Sequence, residues 1–256
     1  LADSARAPYG ARSFDVIHSF TLEAVEWLFN EGCTTVVLAC NTASARALRT
    51  IQQVHLPARR PDRRVLGVVR PSVEALAGLP PGAIPGATRP SLAEGTVAVL
   101  ATEGTVASDS FGIELRKLAP RLELIQQACP LWVPLVEAGE TEGAGADWFL
   151  HRYLDPVLAA PRPPQRILLG CTHYPILLPG IRQIVPASIE VLTQGEIVAT
   201  RLADWLVRHP EHESRLARGG AQRIATTDDP VWFAAHCTRL FGTPAPVERA
   251  RLRPIA

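Results

Sequence analysis

Apolar residues fall in two rhythms along this chain. In SFTLEAVEWLFNEG, Leu22, Val25, Leu28 and Phe29 recur at helical spacing and share one face, and Gly32 supplies a stop. TTVVLA (Thr34 to Ala39) follows, a continuous β-branched run of the kind that makes a strand buried on both faces. NTASARALRTIQQ returns to good helix formers, and RVLGVV (Arg64 to Val69) reads as a second strand, stopped by Pro71. From Ala77 to Gly95 the text AGLPPGAIPGATRPSLAEG reads as a surface connection and a candidate domain boundary. TVAVLAT (Thr96 to Thr102) restarts the alternation. A helix at Ser110 to Leu118, the LELIQQA segment, a helix near Val133 to Glu137 and the buried strand RILLG (Arg166 to Gly170) follow. RILLG runs through Cys171-Thr172-His173 into the helix-like YPILLPGIRQIV, then the short strand IEVLT and the amphipathic helix EIVATRLADWLVRH. RIATTDDPVWFAAHCTRLFG reads as strand, turn and helix. Strands alternating with helices predict an α/β fold of mainly parallel sheets joined by right-handed crossovers.

Composition narrows the chemistry. The chain has 256 residues, 47% hydrophobic and 20% charged, which excludes a disordered protein, and no apolar stretch approaches a membrane span. Lys and Arg number 26 against 25 Asp and Glu, a net charge of +1, so bulk charge gives no reason to expect nucleic acid and a small substrate is the default partner. The opening LADSARAPYG has neither the basic start nor the apolar core of a signal peptide, so a cytoplasmic protein is expected. Methionine is absent, the chain opens on Leu1, and Lys117 is the sole lysine amid abundant Arg, Ala and Pro, which reads as a fragment from a codon-biased source. Cys33, Cys40, Cys129, Cys171 and Cys237 are scattered without a CxxC pair, which argues against a disulfide framework or a zinc site.

Two segments match each other. VVLACNTASARAL and ILLGCTHYPILL are each a buried strand that ends in a small residue and a cysteine, followed by polar residues and a helix start. Cys40 and Cys171 are thereby placed at the C-terminal ends of parallel strands, the edge where ligands bind in open α/β sheets. Helix N-termini offer free N–H groups that hold an anion such as a carboxylate and lower a thiol pKa. Two thiols in matched halves suit a reaction that needs a base on each face of one carbon. One thiolate takes the Cα proton of an amino acid, the other thiol returns a proton to the opposite face, and convergent donors stabilise the carbanion-like charge between these steps. Cys33 and Cys237 read as helix packing, and Cys129 as a structural residue before Pro130.

LACNTAS (Leu38 to Ser44) and LLGCTHYP (Leu168 to Pro175) resemble the two cysteine motifs of glutamate racemases, which are cofactor-independent amino-acid racemases. The resemblance extends over almost the whole chain, through ARAPYGARS, GVVRPS, VLATEGTVAS, CPLWVPLVEAGE and ATTDDPVWF. It implies two similar lobes, each a mainly parallel sheet flanked by helices, with the active site between them. The expected division is residues 1–92 plus 199–256 for the first lobe and 93–198 for the second. It implies Cys40 and Cys171 as the catalytic acid/base pair, assisted by His173 and Glu137. Asn41, Thr42, Thr172 and His173 would hold the carboxylate and amino groups of glutamate, Tyr9 and Gly10 would line the pocket through their backbone, and Thr102 and Thr105 match hydroxyls that contact substrate. The product, D-glutamate, would supply peptidoglycan. The resemblance implies no metal, pyridoxal phosphate or nucleotide, and no Gly-rich phosphate loop is present. Oligomeric state stays open, a homodimer included.

Two departures stand out. The family carries an N-terminal strand ending in Asp-Ser-Gly, which this sequence begins too late to contain; Asp3-Ser4 is a different part of the pattern. The resemblance therefore predicts a chain of low stability and little activity unless that strand is restored. Near the end, the family's acidic-Ser-Gly segment reads Leu192-Thr193-Gln194-Gly195 here. Three alternatives stay open: a racemase of aspartate or another amino acid, an inactive truncated paralogue that acts as a binding protein, and thiol redox chemistry between Cys40 and Cys171.

Overall fold

The structure is a computed structural model that describes every residue except 91, 93, 243–245 and 256. Helix α1 (Phe14–Asn30) buries Ile17, Thr21, Val25 and Phe29 at a strict spacing of four, and the chain turns after it at Gly32 with φ +95°. Strand β1 (Thr35–Leu38) follows. Helix α2 (Asn41–Arg46), the short α3 (Leu48–Thr50), a π turn (Ile51–His55) and α4 (Leu56–Arg59) then lead to β2 (Arg64–Gly67), which pairs with β1 in parallel. Val36, Leu38 and Val65 pack on Val25, Phe29, Ala47, Ile51 and Leu56.

Two expectations are corrected in this region. β1 is covered on one face only: Val36 is 4% exposed but Val37 is 36% exposed. Among the described residues β1 pairs only with β2, and Val37 faces a cavity of about 740 Å³ shared with Leu48, Leu66 and Trp205. Pro71 does not stop a strand. β2 ends at Gly67, and Pro71 lies in the first turn of α5 (Val69–Leu76), where no intrahelical N–H is needed.

The second sheet is the larger. It comprises β3 (Gly95–Ala101), β4 (Leu122–Ala128), β5 (Arg166–Gly170) and β6 (Glu190–Leu192), in the order β4-β3-β5-β6 and all parallel. Between the strands run α6 (Glu103–Ala107), α7 (Ser110–Leu118), α8 (Trp132–Ala138), α9 (Ala144–Leu158), a 3-10 turn (Tyr174–Leu177) and α10 (Leu178–Ile184). Alternate residues feed opposite layers. Ala98, Leu100, Ile167 and Leu169 meet Trp132, Leu150 and Leu154, whereas Val97, Val99 and Leu168 meet Val73, Phe111 and Leu115. Burial on both faces explains why these strands read as unbroken apolar runs. The segment after Leu76 is not wholly a surface connection, because Ala77, Leu79 and Ala83 are buried in the second of these layers.

The chain ends with α11 (Gln194–Arg208), α12 (Pro210–Glu213), β7 (Ile224–Thr226), α13 (Pro230–Phe241) and β8 (Val247–Arg249). β7 pairs with β8, and Thr226 bridges to Ala2. The result is the two-lobed α/β arrangement of parallel sheets flanked by helices. No helix among the described residues is long and apolar enough to cross a membrane.

Candidate active site

β1 delivers Cys40 to the start of α2, and β5 delivers Cys171 to the start of the 3-10 turn. Gly170 lets the end of β5 pack tightly: a Cβ there would lie 3.0 Å from Val99 Cγ1 and 3.1 Å from the Leu100 carbonyl oxygen. At Cys40, burial pushes the thiol pKa up against the backbone N–H groups of Ala43 and Thr42 and the Thr42 hydroxyl, which favour the thiolate. At Cys171, 8% exposed, burial pushes the thiol up to about 12. The His173 N–H opposes that rise, and charge on Cys40 adds to it. Each half thus supplies a sulfur, and Cys171 feels the charge of the other. The depressed thiol pKa expected from helix N-termini is corrected: α2 has only six residues and Cys171 opens onto a 3-10 turn, so short dipoles lose to desolvation.

His173 and Glu137 come together beside Cys171. The His173 Nδ1 lies 3.9 Å from Cys171 Sγ, and its Nε2 lies 2.5 Å from Glu137 Oε1. Thr172 Oγ1 is 3.3 Å from the same Nδ1. Two groups from α13 also reach Glu137, with His236 Nε2 3.1 Å from its Oε2 and Arg239 donating to its carbonyl at 2.8 Å. The sequence did not single out His236, whose approach depends on a contact from the far end of the chain.

Three hydroxyls make a compact knot: Thr42 to Thr102 at 3.0 Å, Thr42 to Thr105 at 3.3 Å, and Thr102 to Thr105 at 3.1 Å. Thr42 and Thr105 are buried, and the knot joins α2 to α6. Arg46 adds a bond to the Gly104 carbonyl at 3.0 Å. The Gly104 N–H donates to the Gly10 carbonyl at 2.9 Å, which docks the turn at Pro8-Tyr9-Gly10 on α6. Tyr9 is half-buried, and its hydroxyl donates to Asp3, which also accepts from Arg6 at 2.8 Å and Thr227 at 2.9 Å. Asn41 is 3% exposed and pairs with Gln194, a residue the sequence reading noted only as a departure from a pattern. Cys129 is buried and its carbonyl accepts from Tyr174 at 2.9 Å, a structural role. The cavity of about 740 Å³ is lined by neither Cys40 nor Cys171.

Fold and site together define a class of protein: two-lobed α/β proteins that present one thiol from a parallel-strand end in each half. No protein-family model matches the chain. The curated glutamate racemase of Ruegeria pomeroyi is 39% identical over 240 residues, which cover 94% of this chain and 85% of that protein. The crystal structure of a glutamate racemase isoform from Bacillus anthracis superposes with a TM-score of 0.82 at 27% identity, covering 98% of this chain and 86% of its own. The fold is also that of the Francisella tularensis glutamate racemase solved with D-glutamate, with a TM-score of 0.78 at 23% identity over 99% and 85% of the two chains. This chain belongs to the glutamate racemase family.

Proposed function

We propose that this chain is an isomerase that interconverts L- and D-glutamate with Cys40 and Cys171 as its two bases. A thiolate on one side removes the Cα proton, and the electron pair left behind delocalises into the α-carboxylate. The thiol on the other side then gives its proton to the opposite face of Cα, so the stereocentre inverts and the two sulfurs exchange protonation states. Asn41, Thr42 and Thr172 hold the carboxylate and amino groups, with Thr102 and Thr105 behind Thr42. His173, oriented by Glu137, serves Cys171 in proton exchange, and Tyr9 and Gly10 close one wall. The expected lobes are residues 1–92 with 199–256, and 93–198. In this reading the protein is cytoplasmic, needs no cofactor, and supplies D-glutamate for peptidoglycan.

The observation that carries the proposal is the delivery of one cysteine from each sheet at matching strand ends, with α2 tied to α6 by threonine hydroxyls. Cα–deuterium exchange of L- and D-glutamate in D2O tests it. Cys40→Ser and Cys171→Ser should each lower racemisation at least about a hundredfold. Racemisation by either variant at the rate of the unaltered chain would refute it.

A further inference from the structure

Asn41 belongs to a hydrogen-bond chain that decides which way round its amide lies. The chain starts at the Val68 carbonyl, which can only accept. Ser72, fully buried on α5, donates its hydroxyl to that carbonyl at 2.6 Å. With its one hydrogen committed, the hydroxyl must accept from its other neighbour, and Gln194 Nε2 lies 2.6 Å away. The nitrogen end of Gln194 therefore faces Ser72, and the same nitrogen gives its second hydrogen to Asn41 Oδ1 at 3.0 Å. The remaining oxygen of Gln194 then receives Asn41 Nδ2 at 2.5 Å. Each bond leaves one orientation for the next, so the directionality of a main-chain carbonyl passes through two side chains to Asn41.

The frame behind this chain is rigid. Gln194 opens α11, which Arg201 ties to α5 and the segment after it, with bonds to the Pro71 carbonyl at 3.2 Å and the Leu79 carbonyl at 2.8 Å and an ion pair to Glu74. A serine at this position would have a single hydrogen and could not donate to Ser72 and Asn41 at once. Glutamine can.

Resting on the glutamate reading of the site, we propose that Gln194, backed by Ser72, is a positioning residue that locks Asn41 with its remaining N–H turned to the substrate α-carboxylate. Asn41 directly follows Cys40, so the anionic group within its reach is the carboxylate on the carbon that reacts. A flipped Asn41 would set its oxygen against that carboxylate and repel it.

The test measures binding of L-glutamate and of its α-carboxamide analogue by calorimetry, with steady-state kinetics alongside. In Gln194→Leu, which keeps the bulk and removes all three side-chain bonds, affinity for glutamate should fall about tenfold. Affinity for the α-carboxamide should fall less than about threefold, because a neutral amide pairs with either end of a freely turning Asn41. KM for glutamate should rise in step, and kcat should fall as well, because the α-carboxylate that Asn41 contacts takes up charge in the step at Cα. Ser72→Ala frees the far end of the chain and should narrow the preference for glutamate over its amide in the same direction by a smaller factor. A preference unchanged in both variants, or a fall in kcat with KM held, overturns the proposal. No binding of glutamate to the unaltered chain overturns the substrate reading itself, an outcome distinct from the other two.

Discussion

At Cys171 two influences oppose each other. N–H groups and the Thr172 hydroxyl favour a thiolate, but burial outweighs them and the thiol is held up to about 12. The consequence for stability has a definite sign. In the unfolded chain a thiol loses its proton near pH ~8.5, while the folded chain keeps it to higher pH. Between those values the native state binds more protons, so stability falls as pH rises above about 8.5, by up to ~1.4 kcal/mol per pH unit for this one group. Cys171→Ala should therefore show a shallower loss of stability from pH 8.5 to 10 in urea titrations than the unaltered chain, and an equal slope would contradict the assigned burial effect. Both cysteines, His173 and Glu137 were legible in the sequence because their motifs are local strings. Gln194 and Ser72 were not legible as partners of Asn41, because the bonds that join them span 153 and 122 residues, and no pattern in a linear text encodes such a meeting.

Elements carry the site through a few seams, of which α5 against α11 holds a buried carboxylate. Glu74 is 4% exposed and lies 3.0 Å from Arg70 and 3.4 Å from Arg201. Arg201 is itself largely covered, so removing the carboxylate leaves a cation with little water. Glu74→Gln should cost about 3 kcal/mol, read as a lower urea midpoint at an unchanged slope; a midpoint within error of the parent would show the seam to be weak. Most elements announce themselves in the sequence, and the helix Ser110–Leu118 falls where the pattern places it. Helix α9 escaped notice although Leu150, Tyr153, Leu154 and Val157 form a clear stripe, because Pro156 in its last turn and glycines at its start blur both ends. Val37 misled for a different reason: an apolar run encodes hydrophobicity, not which of its faces a neighbour covers.

Across the whole molecule, the contacts between α6 and the first part of the chain are polar and close. A Cβ on Gly104 would lie 2.7 Å from the Gly10 carbonyl oxygen, a backbone atom that cannot swing aside. Gly104→Ala should push the Pro8-Tyr9-Gly10 turn away, lower kcat/KM for glutamate more than about tenfold, and leave the far-ultraviolet dichroism of the helices intact. Retained kcat/KM would show that the turn does not shape the site. The two sulfurs arrive on different sheets, and α2, which follows Cys40, is tied to α6 of the second sheet by three threonine hydroxyls, with the Gly10 carbonyl bonded to the same helix. On the proposed two-base reading, a change that parts α2 from α6 lowers activity while leaving every cysteine in place.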